Sequence, residues 1–200
     1  MARAGPARGS LAGEREERLL SAARQILRER GFEADIRDIL TLAEVGTGTA
    51  YRHFANKEAL VRAVVDEMRH KVRQGLDAAA QSPDAREAVS ACMEVGFQAL
   101  ADYGQLAVAV FVGTEPRDYD SSDNRAEMEF FFASLLERGI REGHFRRDLD
   151  VAHAVGVWFA LAAPRALSRL MHLEGRSVAE IARLTTRFYL AGLSAESESG

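Results

Sequence analysis

The sequence predicts an all-α chain, and three observations predict it. Apolar residues recur at i, i+3, i+4 and i+7 through most of the 200 residues, as helices with one buried face require. No segment alternates apolar and polar residues convincingly enough for a strand. Glycine, proline and serine fall at the ends of the periodic runs, where helix caps and stops belong. With 47% hydrophobic and 28% charged residues, the chain can bury a proper core and is long enough for a small domain joined to a larger one.

The first helix is expected over residues 14–30, with Leu19, Leu20, Ala23, Ile26 and Leu27 inward and Gly31 at its C-terminal end. Asp35 is a candidate N-cap for a second helix of about two turns, on which Ile36, Ile39, Leu40 and Ala43 share a face. Ala43, Glu44, Val45 and Gly46 then make the short glycine-containing connection of a helix-turn-helix, with Val45 as the apolar plug under the turn. The segment Thr47-Gly-Thr-Ala-Tyr-Arg-His-Phe54 is a helix too polar to exist for packing alone, since only Tyr51 and Phe54 offer apolar faces. Thr47, Thr49, Arg52, His53 and Lys57 instead supply hydroxyl, guanidinium, imidazole and ammonium groups suited to phosphates and base edges. Such a helix, set between a turn and a long amphipathic helix, reads as a DNA-recognition helix.

That amphipathic helix is expected over residues 56–80, with Leu60, Val61, Val64, Val65, Met68, Val72 and Leu76 inward, and it is the natural lever between two domains. Ser82-Pro83 supplies an N-cap and first-turn proline for a helix that stops at Gly104, and a shorter apolar stretch, 106–112, follows. Residues 113–123, with Pro116 and a Ser/Asp cluster, are expected to form a mobile loop. The next helix, 124–142, carries Phe130-Phe-Phe132, which predicts burial on several sides, and Gly143 ends it. A long helix over 150–173 should kink at Pro164. A last one, to Leu193, opens on the capping box Ser177-Val-Ala-Glu180. Residues 1–12, with Arg3 and Arg8, and 194–200 are small and polar enough to be disordered. The domains are thus 13–55, a helix-turn-helix unit for DNA binding, and 56–193, a larger helical body.

A net charge of -4 argues against indiscriminate coating of nucleic acid, but its distribution is uneven. Residues 1–57 hold ten Lys and Arg against eight Asp and Glu, which leaves sixteen against twenty-two for the remainder. The single cysteine, Cys92, excludes an internal disulfide framework and falls on the apolar face of Ala85, Ala88, Val89, Met93, Gly96, Phe97 and Leu100, which makes it an inert core thiol. The longest candidate membrane span, 155–163, is too short and is closed by Pro164 and Arg165. The N-terminus has no apolar stretch for secretion, so a cytoplasmic location is expected.

Roughly residues 18–65 resemble the N-terminal domain of the TetR (tetracycline-repressor) family of bacterial transcription regulators. The resemblance rests on Ala22-Ala-Arg-Gln-Ile-Leu-Arg-Glu-Arg-Gly-Phe32, Arg37-Asp-Ile39, Gly48-Thr-Ala-Tyr-Arg-His-Phe54 and Asn56-Lys-Glu-Ala-Leu60, in the family's order and spacing. Leu40, Glu44, Gly46 and Ala50 depart from the family pattern and point to unusual operator preference. By position, the resemblance implies base-edge contacts at Arg37, Thr47 and Gly48, phosphate contacts at Thr49, Tyr51, His53 and Lys57, and either at Arg52. It also implies about nine helices in all, a homodimer on double-stranded palindromic operator DNA, and a small-molecule effector in the C-terminal body. Met93, Phe97, Tyr103, Phe111, Met128, Phe131 and Trp158 are the candidate ligand lining, which suggests an apolar or aromatic effector. Leu161, Leu167, Leu170, Ile181, Leu184 and Phe188 are the candidate dimer residues, with Trp158 a further contributor.

An enzyme reading is weak. Gly46-Thr-Gly48 lacks the preceding strand and third glycine of a dinucleotide fingerprint. His70, His144, His153 and His172 lack metal-ligand spacing, so no metal, cofactor or catalytic residue is expected. The alternative is a helical ligand-binding or adaptor protein that has lost specific DNA binding, for which Glu44 is the argument.

Overall fold

The computed structural model describes residues 8–112, 114–116, 119, 122–161 and 175–194. Among them are eight α-helices: α1 (Arg8–Arg30), α2 (Ile36–Ala43), α3 (Thr47–His53), α4 (Lys57–Ala80), α5 (Ala85–Val112), α6 (Ser122–Arg141), α7 (Val151–Leu161) and α8 (Val178–Leu193). A 3-10 turn, Gly31–Glu33, follows α1, and the described residues hold no strand beyond one isolated bridge, Phe145 with Ser194. No helix among them is long and apolar enough to cross a membrane.

Local chemistry sets most of the boundaries. The Asp35 carboxylate accepts from the Arg37 N–H at 2.8 Å, and Asn56 Oδ1 accepts from the Ala59 N–H at 2.7 Å. Ser177 and Glu180 form the complete capping box at the start of α8. The start of α5 differs from expectation: Ser82 Oγ accepts from Asp84 N–H at 3.4 Å, while Asp84 Oδ1 accepts from Glu87 N–H at 3.0 Å. Asp84 is therefore the cap, because its carboxylate reaches the first-turn N–H groups. At the other end of the chain, α1 begins at Arg8 and takes in residues expected to belong to an irregular arm. Gly9 and Gly13 lower helix propensity without removing an N–H, so the run from Leu19 extends backwards through them.

Among the described residues α5 continues past Gly104, so the two pieces expected on either side of it form one helix. This glycine has φ 48° and ψ -121°, so the two expected pieces join at a kink. An added Cβ on Gly104 would lie 2.3 Å from the Arg28 carbonyl oxygen. The kink is thus bedded on the end of α1, and Gly31, at φ 55°, faces Gln105 beside it. Residues 162–173 of the expected long helix, Pro164 among them, lie outside the described residues.

One apolar core runs through the described residues. It starts with Leu19, Ala23 and Leu27 of α1 and Ile39 of α2, passes along α4, and ends among α5, α6, α7 and α8. All seven residues expected on the inner face of α4 are buried. The phenylalanine run corrects the expectation of burial on several sides: Phe132 is buried and Phe131 half-buried, but Phe130 is 77% exposed. Successive residues on a helix point about 100° apart, so three in a row cannot all face one core.

Candidate nucleic-acid interface and apolar cavity

The turn between α2 and α3 is built from backbone. Glu44 adopts the left-handed conformation at φ 53° and ψ 41°, which lets its N–H reach the Thr41 carbonyl at 3.2 Å and the next N–H, of Val45, reach Leu40 at 3.2 Å. Val45 is buried beneath the turn. Gly46 has no side chain with which to cap α3, but its carbonyl accepts from Thr49 at 2.9 Å and Ala50 at 3.0 Å. Ala50 then faces the core, and Thr47, Gly48, Tyr51 and Arg52 are left exposed. An added Cβ on Gly48 would meet nothing within 4 Å, so the backbone there is open to a close approach. His53 is half-buried, with Nδ1 3.5 Å from Glu16 Oε2 of α1. Lys57 donates from Nζ to the Phe32 carbonyl at 3.3 Å.

Deeper in the chain, Val72 and Leu76 of α4 face Met93, Phe97 and Phe111 of α5 across an apolar cavity. Met128 and Phe132 of α6 and Trp158, Phe159 and Leu161 of α7 close it. The space at its centre is about 20 Å³, on the order of one water molecule. Cys92 sits in this wall, and burial pushes its thiol up to about 12, which keeps it protonated and unreactive. A second slot of about 20 Å³ shares Val72, Leu76, Phe111 and Met128 with the first and is lined also by Arg69, Arg73 and Phe131. Arg125 holds two of the lining residues from outside: its guanidinium lies 4.1 Å from the Phe159 ring centre and donates to the Phe111 carbonyl at 2.7 Å.

Residues 19–64 match the model for bacterial regulatory proteins of the tetR family. Over 151 residues the chain is 32% identical to the HTH-type transcriptional repressor KstR2 of Rhodococcus jostii (strain RHA1), covering 70% of this chain and 71% of that protein. The chain belongs to the TetR family. The solved structure of the ketosteroid transcriptional regulator KstR2 of Mycobacterium tuberculosis matches with a TM-score of 0.75 at 22% identity, over 91% of this chain and 96% of that one. FadR from Bacillus subtilis in complex with stearoyl-CoA matches with a TM-score of 0.65 at 18% identity, over 88% and 98%. At these identities the two structures establish the shared fold.

As a TetR-family member the chain carries six of its eight expected DNA-contact residues on α3, while Arg37 stands in the first turn of α2 and Lys57 opens α4. Of the seven expected ligand residues, Met93, Phe97, Phe111, Met128 and Trp158 line the first slot, and Phe131 lines the second. Tyr103 belongs elsewhere: its hydroxyl meets Glu67 at 3.4 Å and Lys71 lies 6.0 Å over its ring, outside both slots. Among the expected dimer residues, Ile181 is 1% exposed within one chain, so it has no surface to offer a partner and belongs to the core. Leu161 lines the cavity, Leu184 is half-buried, and Phe188 is 74% exposed. Leu167 and Leu170 lie outside the described residues. Periodicity singled out neither Phe159 nor the arginines Arg69 and Arg125, because spacing assigns arginine to solvent whatever it packs against.

The segment between α5 and α6, expected to be a mobile loop, holds a buried residue. The Tyr119 ring lies 4.9 Å from that of Phe32 at 36°, and its carbonyl accepts from Arg69 Nη2 at 3.1 Å. The body therefore touches the DNA-binding unit in two places besides α4: at the Gly104 kink and at Tyr119.

Proposed function

We propose that this TetR-family regulator is a repressor that binds a palindromic operator as a homodimer and leaves it when a small apolar effector fills the cavity. The observation that carries the reading is that one helix, α4, begins just after the exposed α3 and walls the cavity with Val72 and Leu76. A ligand larger than the present space must separate α4 from α5, α6 or α7, and any rotation of α4 moves α3 with it. In a two-fold dimer the two recognition helices must enter successive major grooves, about 34–36 Å apart, so an effector that favours another spacing weakens operator binding. The exposed Phe188 on α8 supports a partner on that face. The stearoyl-CoA bound by FadR, of the same fold, supports an apolar effector here.

The adaptor reading leans on Glu44, which puts a negative charge near the DNA face. The intact turn around Glu44, with its hydrogen bonds from Glu44 and Val45, supports the DNA-binding reading instead. Selection of genome fragments by the purified protein at moderate salt tests it. Recovery of a short inverted repeat, half-sites about one helical turn apart, is expected. Salt-sensitive binding without sequence preference, or none, would favour the adaptor.

A further inference from the structure

The two slots are neighbours that share Val72, Leu76, Phe111 and Met128 in their walls, and the rest of their linings differs in chemistry. The first, inner slot, around Cys92, Phe97 and Trp158, is lined by apolar side chains. The second, outer slot has Arg69 and Arg73 in its lining. Arg73 is 54% exposed and shared between Asp77 at 3.5 Å and Glu127 at 3.3 Å. Arg69 is different. Its side chain is 25% exposed, Asp66 stands 3.9 Å away, and its Nε is buried without a hydrogen-bond partner. A buried cationic N–H on a residue that lines a largely apolar slot calls for an anionic acceptor, because leaving it unmet is unfavourable. The side edge of a guanidinium, Nε with Nη2, fits the two oxygens of a carboxylate.

We infer that the effector is an elongated apolar molecule ending in a carboxylate, with its body in the inner slot beyond Phe111 and Met128 and its carboxylate on Arg69. The inference rests on the reading that this cavity is the effector site, and it adds the ligand's chemical class and the residue that selects it. It also links occupancy to DNA binding. Arg69 Nη2 holds the Tyr119 carbonyl, the Tyr119 ring packs on Phe32, and the Phe32 carbonyl holds Lys57. A carboxylate on the Nε and Nη2 edge competes with Tyr119 for the same donors, which loosens the clasp on the DNA-binding unit.

Matched probes test the inference: dodecanoic acid against dodecanol, and cholanic acid against cholanol, titrated calorimetrically into the full-length protein and scored for release of the selected operator. At least one acid is expected to bind about tenfold more tightly than its alcohol, the ratio given by one charge-assisted hydrogen bond, and to release the operator at correspondingly lower concentration. R69Q should bring that ratio to within about twofold, and R69K should keep part of it, with circular dichroism and thermal unfolding used to verify that each variant is folded. Equal binding of acid and alcohol, or a preference that survives in R69Q, overturns the role of Arg69 while leaving an apolar effector site in place. Failure of all four probes to bind or to release the operator overturns the effector reading of the cavity together with the inference.

Discussion

Glu44 is the one described non-glycine residue with positive φ, and it occupies the turn on which α3 depends. A left-handed conformation disfavours a residue with a Cβ by about 1–2 kcal/mol. Glycine recovers most of that, less the greater freedom it gives the unfolded chain. Glu44→Gly is therefore expected to stabilise the protein by about 1 kcal/mol, or roughly 2–4 °C in Tm. Removing a negative charge from the DNA face should also tighten operator binding most at low salt. A lowered Tm in differential scanning calorimetry would show that Glu44 makes a compensating contact. Lys57 gives the complementary test. If its ammonium leaves the Phe32 carbonyl for a phosphate, Lys57→Ala should weaken binding to every sequence alike and lower the slope of log K against log salt by about one. An unchanged slope would assign Lys57 to the fold alone.

Among the helices, what the sequence made legible was local and what it hid was tertiary. The buried face of α4, the caps at Asp35 and Ser177, and the plug at Val45 follow from residues within one or two turns of each other, so spacing was sufficient. The exposure of Phe130, the burial of Ile181 and the placing of Tyr103 depend on which neighbour each helix meets, and periodicity carries no such information. Gly104 lies between the two cases. Its position marked a break in α5, but its reason, the backbone of α1 at 2.3 Å from any added Cβ, is visible only in three dimensions. Gly104→Ala forces both an unfavourable φ and a clash, with an expected destabilisation of about 2–4 kcal/mol measured by urea unfolding. Gly156→Ala, in α7 with open space around it, should be neutral or stabilising by up to about 1 kcal/mol. Equal stability of the two variants would mean that α5 relaxes away from α1 at little cost.

For the molecule as a whole, the proposed switch needs two copies, because a lone α3 has no partner spacing for a ligand to change. The surface of α8 offers the means. Phe188 is exposed, Leu184 one turn earlier is half-buried, and Ile181 and Tyr189 are buried in the core. Tyr189 donates to the Ala154 carbonyl at 2.8 Å, which fixes α8 against α7, so a partner docking on Phe188 meets a rigid wall continuous with the cavity side chain Trp158. In a two-fold interface each residue appears twice, and burying a phenylalanine is worth about 1.5–3 kcal/mol. Phe188→Glu therefore removes two such contributions and sets two carboxylates on the same surface. The expected result is a dimer dissociation constant raised at least about a hundredfold, by two contributions of that size, seen as a monomer in sedimentation at micromolar concentration. Its operator binding should fall to that of a half-site, while the cavity, whose lining does not include Phe188, keeps its ligand affinity. A Phe188→Glu protein that remains dimeric would move the interface off this face of α8, and the coupling between cavity and recognition helices would then have to run through α4 and Tyr119 alone.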